Sequence, residues 1–362
     1  MMFIVSVILI FFIQYFITYN IAFIKKQSLA LGIIFSIILF YSIFLGVTDT
    51  TDWKGYEYIF QNKEMPIDFL FRYLSYKGDE FNFGFKLIYQ LHIILIGVML
   101  IHFISKFNSN IFFIVSFILL ILFVPLANQI RYFLALALYL NAIYYYCVKE
   151  KYFLFFFIAT LSILSHIAII PLYLFVPLFM IKSYKIFIRY SIIISLITFL
   201  SVVSLFKTGL LPIAFFDHFN AYIDSDHKSS ILGGLFYLVP IILIGFLLKS
   251  ELNKLTKLKI LEFDKDFKFL VRLTIFSYIF IPGAIFMQIL ASRYSMALFF
   301  VWIILFLKIS SYYNLKGRIK KFTIIFIVQW FYICYIYFIP ILFFDSSDSL
   351  DKFQAIIKSI QY

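Results

Sequence analysis

Charge is scarce in this 362-residue chain. Asp, Glu, Lys and Arg make up 14% of it and hydrophobic residues 64%, where a soluble domain is about a quarter charged. Apolar surface in that excess has no water-free place to go in a soluble fold. The deficit excludes a soluble globular enzyme, a disordered chain and a nucleic-acid-binding domain. Cysteine is almost absent: Cys147 and Cys334 both sit in apolar stretches, make no metal framework, and read as small buried hydrophobes. Alternation of polar and apolar residues is missing as well, which excludes an outer-membrane barrel. No inner loop carries a Gly-rich phosphate cradle, a Walker motif or a zinc-ligand spacing, so no cytoplasmic nucleotide site is expected. The two halves show no convincing repeat, which argues against a repeat-built transporter. Met1 opens directly on an apolar run, with no basic n-region and no small-residue cleavage site, and this is expected to be a retained first span.

What is present is a series of long apolar runs broken by charge clusters. The fold class expected is all-α: a single polytopic integral membrane domain over residues 1–362, with about 12 transmembrane helices (10 to 13) and a catalytic cavity on its outer face. The spans read as roughly 2–24, 28–47, 87–104, 110–126, 131–148, 152–166, 167–181, 189–206, 231–248, 270–290, 294–309 and 322–344. The pair 152–166 and 167–181 is short, and Pro171 and Pro177 make a broken or re-entrant element the alternative.

Lys and Arg set the orientation. With the N-terminus outside, inner segments carry 20 of the 31 cations and 5 of the 18 acidic residues. The inner side then nets +15 and the outer side −2, so the overall +13 reports topology and not a polyanionic partner. Both termini are expected on the outer side. Residues 48–86 are expected to form the first long outer loop, 207–230 the second, and 249–268 a basic cytoplasmic loop lying along anionic headgroups. The tail 350–361 spaces Leu350, Phe353, Ile357 and Ile360 as an interfacial helix.

Cations that break this rule are the informative ones. Arg72, Arg131 and Arg293 stand on the outer side, Arg131 and Arg293 at the starts of spans. Each either pairs with an outer carboxylate or awaits an anionic ligand. For Arg131 and Arg293 the ligand is favoured, because neither has an acidic sequence neighbour. The short Lys149-Glu150-Lys151 turn makes 152–166 the antiparallel neighbour of 131–148, which brings His166 back to the depth of Arg131. His166 is thus a candidate acid/base or phosphate donor. Gln129 is placed to help position a ligand. His92 and His102 fall on different faces of one span and read as structural. In the first outer loop Asp52 is a candidate carboxylate, while Trp53 and Tyr56 are candidate sugar-stacking rings. Asp224-Ser225-Asp226 looks like a nucleotide-sugar Asp-x-Asp but lies outside, where such sugars are absent. Asp217, His218, Asp226 and His227 are too loosely spaced to assign a metal.

The run Asn128-Gln129-Ile130-Arg131-Tyr132-Phe133-Leu134-Ala135-Leu136-Ala137 is followed, after the Lys-bounded turn, by Ala159-Thr160-Leu161-Ser162-Ile163-Leu164-Ser165-His166-Ile167-Ala168-Ile169-Ile170-Pro171. Together they resemble the core of the EpsG-like, Wzy-type bacterial polysaccharide polymerases. Asp52-Trp53-Lys54-Gly55-Tyr56 is similar to that family's Asp-x-x-x-Tyr in its first outer loop. Asn82-Phe83-Gly84-Phe85 sits where the family often has Glu-x-Gly-Phe, with Glu80 as the nearest stand-in for the missing Glu. Arg293-Tyr294 resembles its late outer Arg-Tyr. The resemblance implies an undecaprenyl-pyrophosphate-linked oligosaccharide substrate, with membrane lipids and a chain-length regulator as further partners. It implies transfer of the glycan to another lipid-linked repeat unit on the periplasmic face, without cofactor or metal. His166, Asp52 and Arg131 would then be catalytic, with His166 or Asp52 as base. Arg72, Arg293, Gln129, Tyr294, Trp53 and Tyr56 would bind substrate. The competing expectations are a membrane acyltransferase modifying surface polysaccharide, a lipid-linked oligosaccharide flippase, an O-antigen ligase and a non-enzymatic scaffold.

Overall fold

The computed structural model describes residues 28–45, 51–62, 68–107, 111–181, 183–208, 242–249, 251–252, 264–284 and 290–312, with isolated positions at 239, 317, 323–324, 327–328 and 331. Among these the secondary structure is entirely helical. Among the described residues three helical segments are long and apolar enough to cross a membrane: Phe85–Ser105, Tyr184–Ser201 and Arg293–Ser310. Shorter apolar helices accompany them over Gly32–Ser42, Tyr152–Ser165 and Ile167–Met180. The chain is a multi-pass membrane protein, all-helical among the described residues. The expected spans 2–24 and 322–344, most of the 207–230 loop, the core of the 249–268 segment and the tail 350–361 lie outside the described residues or are touched only at isolated positions.

The chain divides into two compact units, residues 1–174 with 319–362 and residues 175–318. In the first, α1 (Ser28–Leu45) packs on α4 (Phe85–Ser105) and α5 (Ile111–Asn128), and α6 (Ile130–Cys147) packs on α4 and along α7 (Tyr152–Ser165). The α6–α7 contact is close because α6 presents small residues. Ala135, Ala137 and Ala142 are fully buried, and Ser162 Oγ donates across to the Ala135 carbonyl at 2.7 Å. The reversal between them is tight: Glu150 adopts a left-handed φ of 56°, and Lys151 N donates back to Tyr145 O at 2.9 Å. Outward faces are apolar, as lipid requires. Phe153, Phe156 and Phe157 on α7 and Ile34, Phe35 and Ile38 on α1 are all exposed.

Residues 48–86, read as a loop, fold into two amphipathic helices among the described positions, α2 (Thr51–Asn62) and α3 (Phe69–Glu80). Each docks on the bundle through a few large side chains. Trp53 packs edge-on against Phe85 at 4.8 Å, Phe71 is fully buried, and Gly78 faces Ile88. The Asn82-Phe83-Gly84-Phe85 motif is the turn that ends α3 and starts α4. Asn82 takes φ 57°, which Asn tolerates better than most residues, and Phe83 N donates to Gly78 O at 2.7 Å.

Gly97 sets the α1–α4 approach. A Cβ there would stand 2.9 Å from Phe40 Cδ1, on a ring only 2% exposed. Gly97→Ala is therefore expected to destabilise by about 1–3 kcal/mol through overpacking, read as a lowered melting midpoint in detergent. An unchanged midpoint would mean that the Phe40 ring has room to move.

The stretch 167–181 runs from the end of the first unit, at Leu174, into the second unit. It is broken into the turn Ile167–Ile169, α8 (Ile170–Leu174) and the turn Val176–Met180, with Pro171 and Pro177 both in first-turn positions where a missing N–H is harmless. The unit continues with α9 (Tyr184–Thr208), α10 (Lys265–Ser277), α11 (Ile281–Ala284), a π-turn at Leu290–Ser295 and α12 (Phe299–Ser310). Buried Arg272 donates to the carbonyls of Phe179 and Ile181 and lies over the Phe187 ring. Asp264 caps α10 by accepting from Phe267 N at 2.8 Å, and its other oxygen holds Lys308 and Tyr312 at 3.0 and 2.9 Å.

Candidate active site around Asp68

Four elements of the first unit meet at Asp68, which immediately precedes α3 and is 4% exposed. An Asp in this position ordinarily caps its own helix, and this one does not: no backbone N–H of α3 bonds its side chain. The carboxylate turns instead toward α6 and α7. Oδ2 accepts from Arg131 Nη1 at 2.7 Å and stands 2.9 Å from His166 Nδ1, while Oδ1 accepts from Ile167 N at 3.1 Å. Forgoing the cap costs α3 about 0.5–2 kcal/mol, offset by three bonds, two of them to groups that carry or can carry positive charge.

Local structure explains each placement. His166 ends α7 in an extended conformation (φ −162°, ψ 120°), which swings its ring out of the helix and frees Ile167 N to point at the carboxylate. Arg131 lies in the first turn of α6, after a break at Gln129 (φ −110°, ψ 51°). Its guanidinium sits 4.8 Å from the Tyr56 ring centroid and 5.5 Å from that of Phe71, both rings buried, so α2 and α3 each supply one wall. Tyr132 meets the His166 ring edge-on at 5.9 Å. Arg131 Nε has no hydrogen-bond partner among the described residues.

Burial alone would raise the Asp68 pKa. The hydrogen bond from His166, the positive charges of His166 and Arg131 and the Ile167 N–H outweigh it and hold the carboxyl below its ordinary range. At neutral pH Asp68 is therefore a carboxylate and can only accept. The proton in the His166–Asp68 bond resides on Nδ1 of the ring, which makes Nε2 the basic nitrogen whenever His166 is uncharged.

The expected site residues divide. Arg131 and His166 come together, and Tyr56 joins them as the support under Arg131 in place of an open sugar platform. Trp53 is buried, with its ring against Phe85 and Tyr89 and its Nε1 donating to Glu57 at 3.2 Å, so it anchors α2 and offers no exposed face. Asp52 lies half-buried in the first turn of α2, and its charge acts on Arg131. Gln129 precedes α6 and is half-buried. Arg72 is exposed on α3 with its guanidinium over the Phe69 ring at 5.4 Å. Arg293 and Tyr294 belong to the second unit, where Tyr294 is buried and stacks on Phe280 at 5.0 Å. His92 is buried, bonded to Ile88 O at 2.8 Å, a packing role. Asp217, His218, Asp224, Asp226 and His227 lie outside the described residues. No group of three or more His, Cys, Asp or Glu gathers among the described residues as a metal would need.

The sequence did not reveal Asp68, and it favoured an anionic ligand over a carboxylate partner for Arg131. That arginine has a carboxylate partner 63 positions upstream rather than none. The one local signal was an Asp at a helix start. Nothing matches this chain among curated proteins, and no solved structure matches it. A family model does match over residues 33–347, most of the chain: the protein belongs to the EpsG family.

Proposed function

We propose that this protein is a polysaccharide polymerase of the O-antigen or capsule type, working on the outer face of the bacterial inner membrane. It transfers a growing glycan from undecaprenyl pyrophosphate to the non-reducing end of a second lipid-linked repeat unit. Family membership supports the reaction class. The observation that carries the site is the buried carboxylate shared by His166 and Arg131. In this reading His166 Nε2 takes the proton of the acceptor hydroxyl as its oxygen bonds to the anomeric carbon. The bond from that carbon to the pyrophosphate oxygen breaks, and the lipid pyrophosphate leaves with the electron pair. Asp68 fixes the tautomer and stabilises the imidazolium that forms. Arg131 keeps Asp68 ionised and sets a fixed positive charge near the charge that develops. Arg72, Arg293, Gln129 and Tyr294 retain the substrate-binding roles that the resemblance gives them. Asp52 is assigned a supporting charge, since His166 holds the geometry of a base.

His166→Gln tests the proposal. Glutamine keeps a hydrogen-bonding group near Asp68 but supplies no base. Surface polysaccharide run on a gel is expected to collapse from a ladder to a single repeat unit, a loss of about 10²–10⁴-fold in elongation, with protein abundance unchanged by immunoblot. A flippase or ligase variant would give no repeat at all, and an acyltransferase variant would keep the full ladder. A full ladder from His166→Gln at normal abundance would overturn the assignment.

A further inference from the structure

The end of α6 remote from Asp68 carries a second polar cluster that this chemistry does not use. Tyr144 lies 13 residues beyond Arg131, about 20 Å along the helix. Lys106, just past α4, donates from Nζ to Asn141 Oδ1 at 2.6 Å and stands 4.5 and 4.3 Å from the Tyr144 and Tyr145 ring centroids. The Asn141 amide is fixed by its own bonds to the Met99 and Ala137 carbonyls, both 2.9 Å, so its oxygen faces the lysine. Lys149 Nζ lies 5.7 Å from the same Tyr144 ring, and His102 Nε2 is 2.9 Å from the Tyr145 hydroxyl.

Two ammonium groups thus stand 4.5 and 5.7 Å from the centroid of one tyrosine ring, and the Lys149 charge acts repulsively on Lys106. Burial and the Lys149 charge together bring the Lys106 pKa down to about 7. Nor do these lysines serve as helix caps. The last-turn carbonyls of Phe103, Ile104, Tyr144 and Tyr145 already accept backbone N–H groups. An anion bound by both ammoniums would offset that repulsion, and the Tyr145 hydroxyl and His102, 2.9 Å apart, add hydrogen-bonding capacity in the same cluster. Because α4 is long enough to span a bilayer, its end falls at headgroup depth.

We propose that Lys106, Lys149, His102 and Tyr145 form a binding site for a phosphate group, the headgroup phosphate of an anionic phospholipid. The site is independent of the polymerase reading. The test uses the purified full-length protein in phosphatidylcholine nanodiscs, with its melting midpoint read as phosphatidylglycerol is added. A parallel arm adds inorganic phosphate against chloride at equal ionic strength. Phosphatidylglycerol is expected to raise the midpoint of the native chain, and Lys106→Arg is expected to preserve the rise. Lys106→Met, which keeps the stem packing on the tyrosines, and the exposed Lys149→Ala are each expected to weaken lipid capture about fivefold. Should Lys106→Met fail to fold, Lys149→Ala carries the test alone. An equal rise with inorganic phosphate would keep the site and assign it to free phosphate. No rise in either arm, or variants that respond like the native chain, would overturn it.

Discussion

Asp68→Asn is expected to abolish polymer elongation while costing the protein about 1–3 kcal/mol of stability, the penalty of one unsatisfied buried donor. The substitution keeps the side chain's size and removes only its charge, so packing cannot be blamed. The hydrogen-bond inventory decides the outcome. The native carboxylate accepts from three donors: Ile167 N, Arg131 Nη1 and His166 Nδ1. An amide has one accepting and one donating end. With its oxygen toward Ile167, the NH2 group faces both Arg131 and the ring. His166 can answer by moving its proton to Nε2, but Arg131 cannot lose one. With the amide flipped, the NH2 group meets the Ile167 N–H instead. The first arrangement removes the base, and the second forfeits the charge that stabilises the imidazolium. Elongation should fall by about 10²–10⁴-fold, read as a single repeat unit on a gel from cells whose protein level matches the wild type. A full ladder at normal abundance would remove Asp68 from the mechanism.

Fold class was legible because it rests on composition. Lipid demands long apolar helices, and no other class tolerates so few charges. The pairing of α6 with α7 was legible because a three-residue charged turn leaves the chain nowhere else to go, and that placed His166 beside Arg131. Asp68 was not legible. Its partners lie 63 and 98 positions away, and before Phe69-Leu70-Phe71 it looks like an ordinary helix cap. Only the geometry shows that it declines that role. Trp53 and Tyr56 were singled out as aromatic residues beside an acidic one; their placement, Trp53 against Phe85 and Tyr56 under the Arg131 guanidinium, rests on tertiary contacts that the sequence does not show. Residues 48–86 hid their helices because α2 and α3 are short and owe their stability to docking rather than to propensity.

Removing Arg131 and Asp68 together separates what the cluster does for folding from what it does for chemistry. Arg131→Met alone leaves a carboxylate with 4% exposure facing His166 without its permanent counter-charge. That carboxylate then draws a proton onto His166, which fills the base's lone pair, and breaking such a pair costs about 3–5 kcal/mol. Elongation is lost in this variant for an electrostatic reason, but a sceptic can ascribe the loss to misfolding. Asp68→Asn combined with Arg131→Met removes that objection. The amide oxygen accepts from Ile167 N, the NH2 group donates to His166 Nδ1, and no Arg131 donor remains to conflict with it. Methionine also keeps an apolar stem between Tyr56 and Phe71. The double variant should therefore melt closer to the native protein than Arg131→Met does, a non-additivity of about 1–3 kcal/mol for groups in direct contact. It should nonetheless make no polymer, because satisfying the amide forces the His166 proton onto Nε2, where the acceptor hydroxyl would need a lone pair. The melting midpoints of the native protein, both single variants and the double, set beside their polysaccharide gels, measure both effects at once. A double variant that regains the ladder along with its stability would show the cluster to be a structural clip between α3, α6 and α7, and would move the search for the base to Asp52.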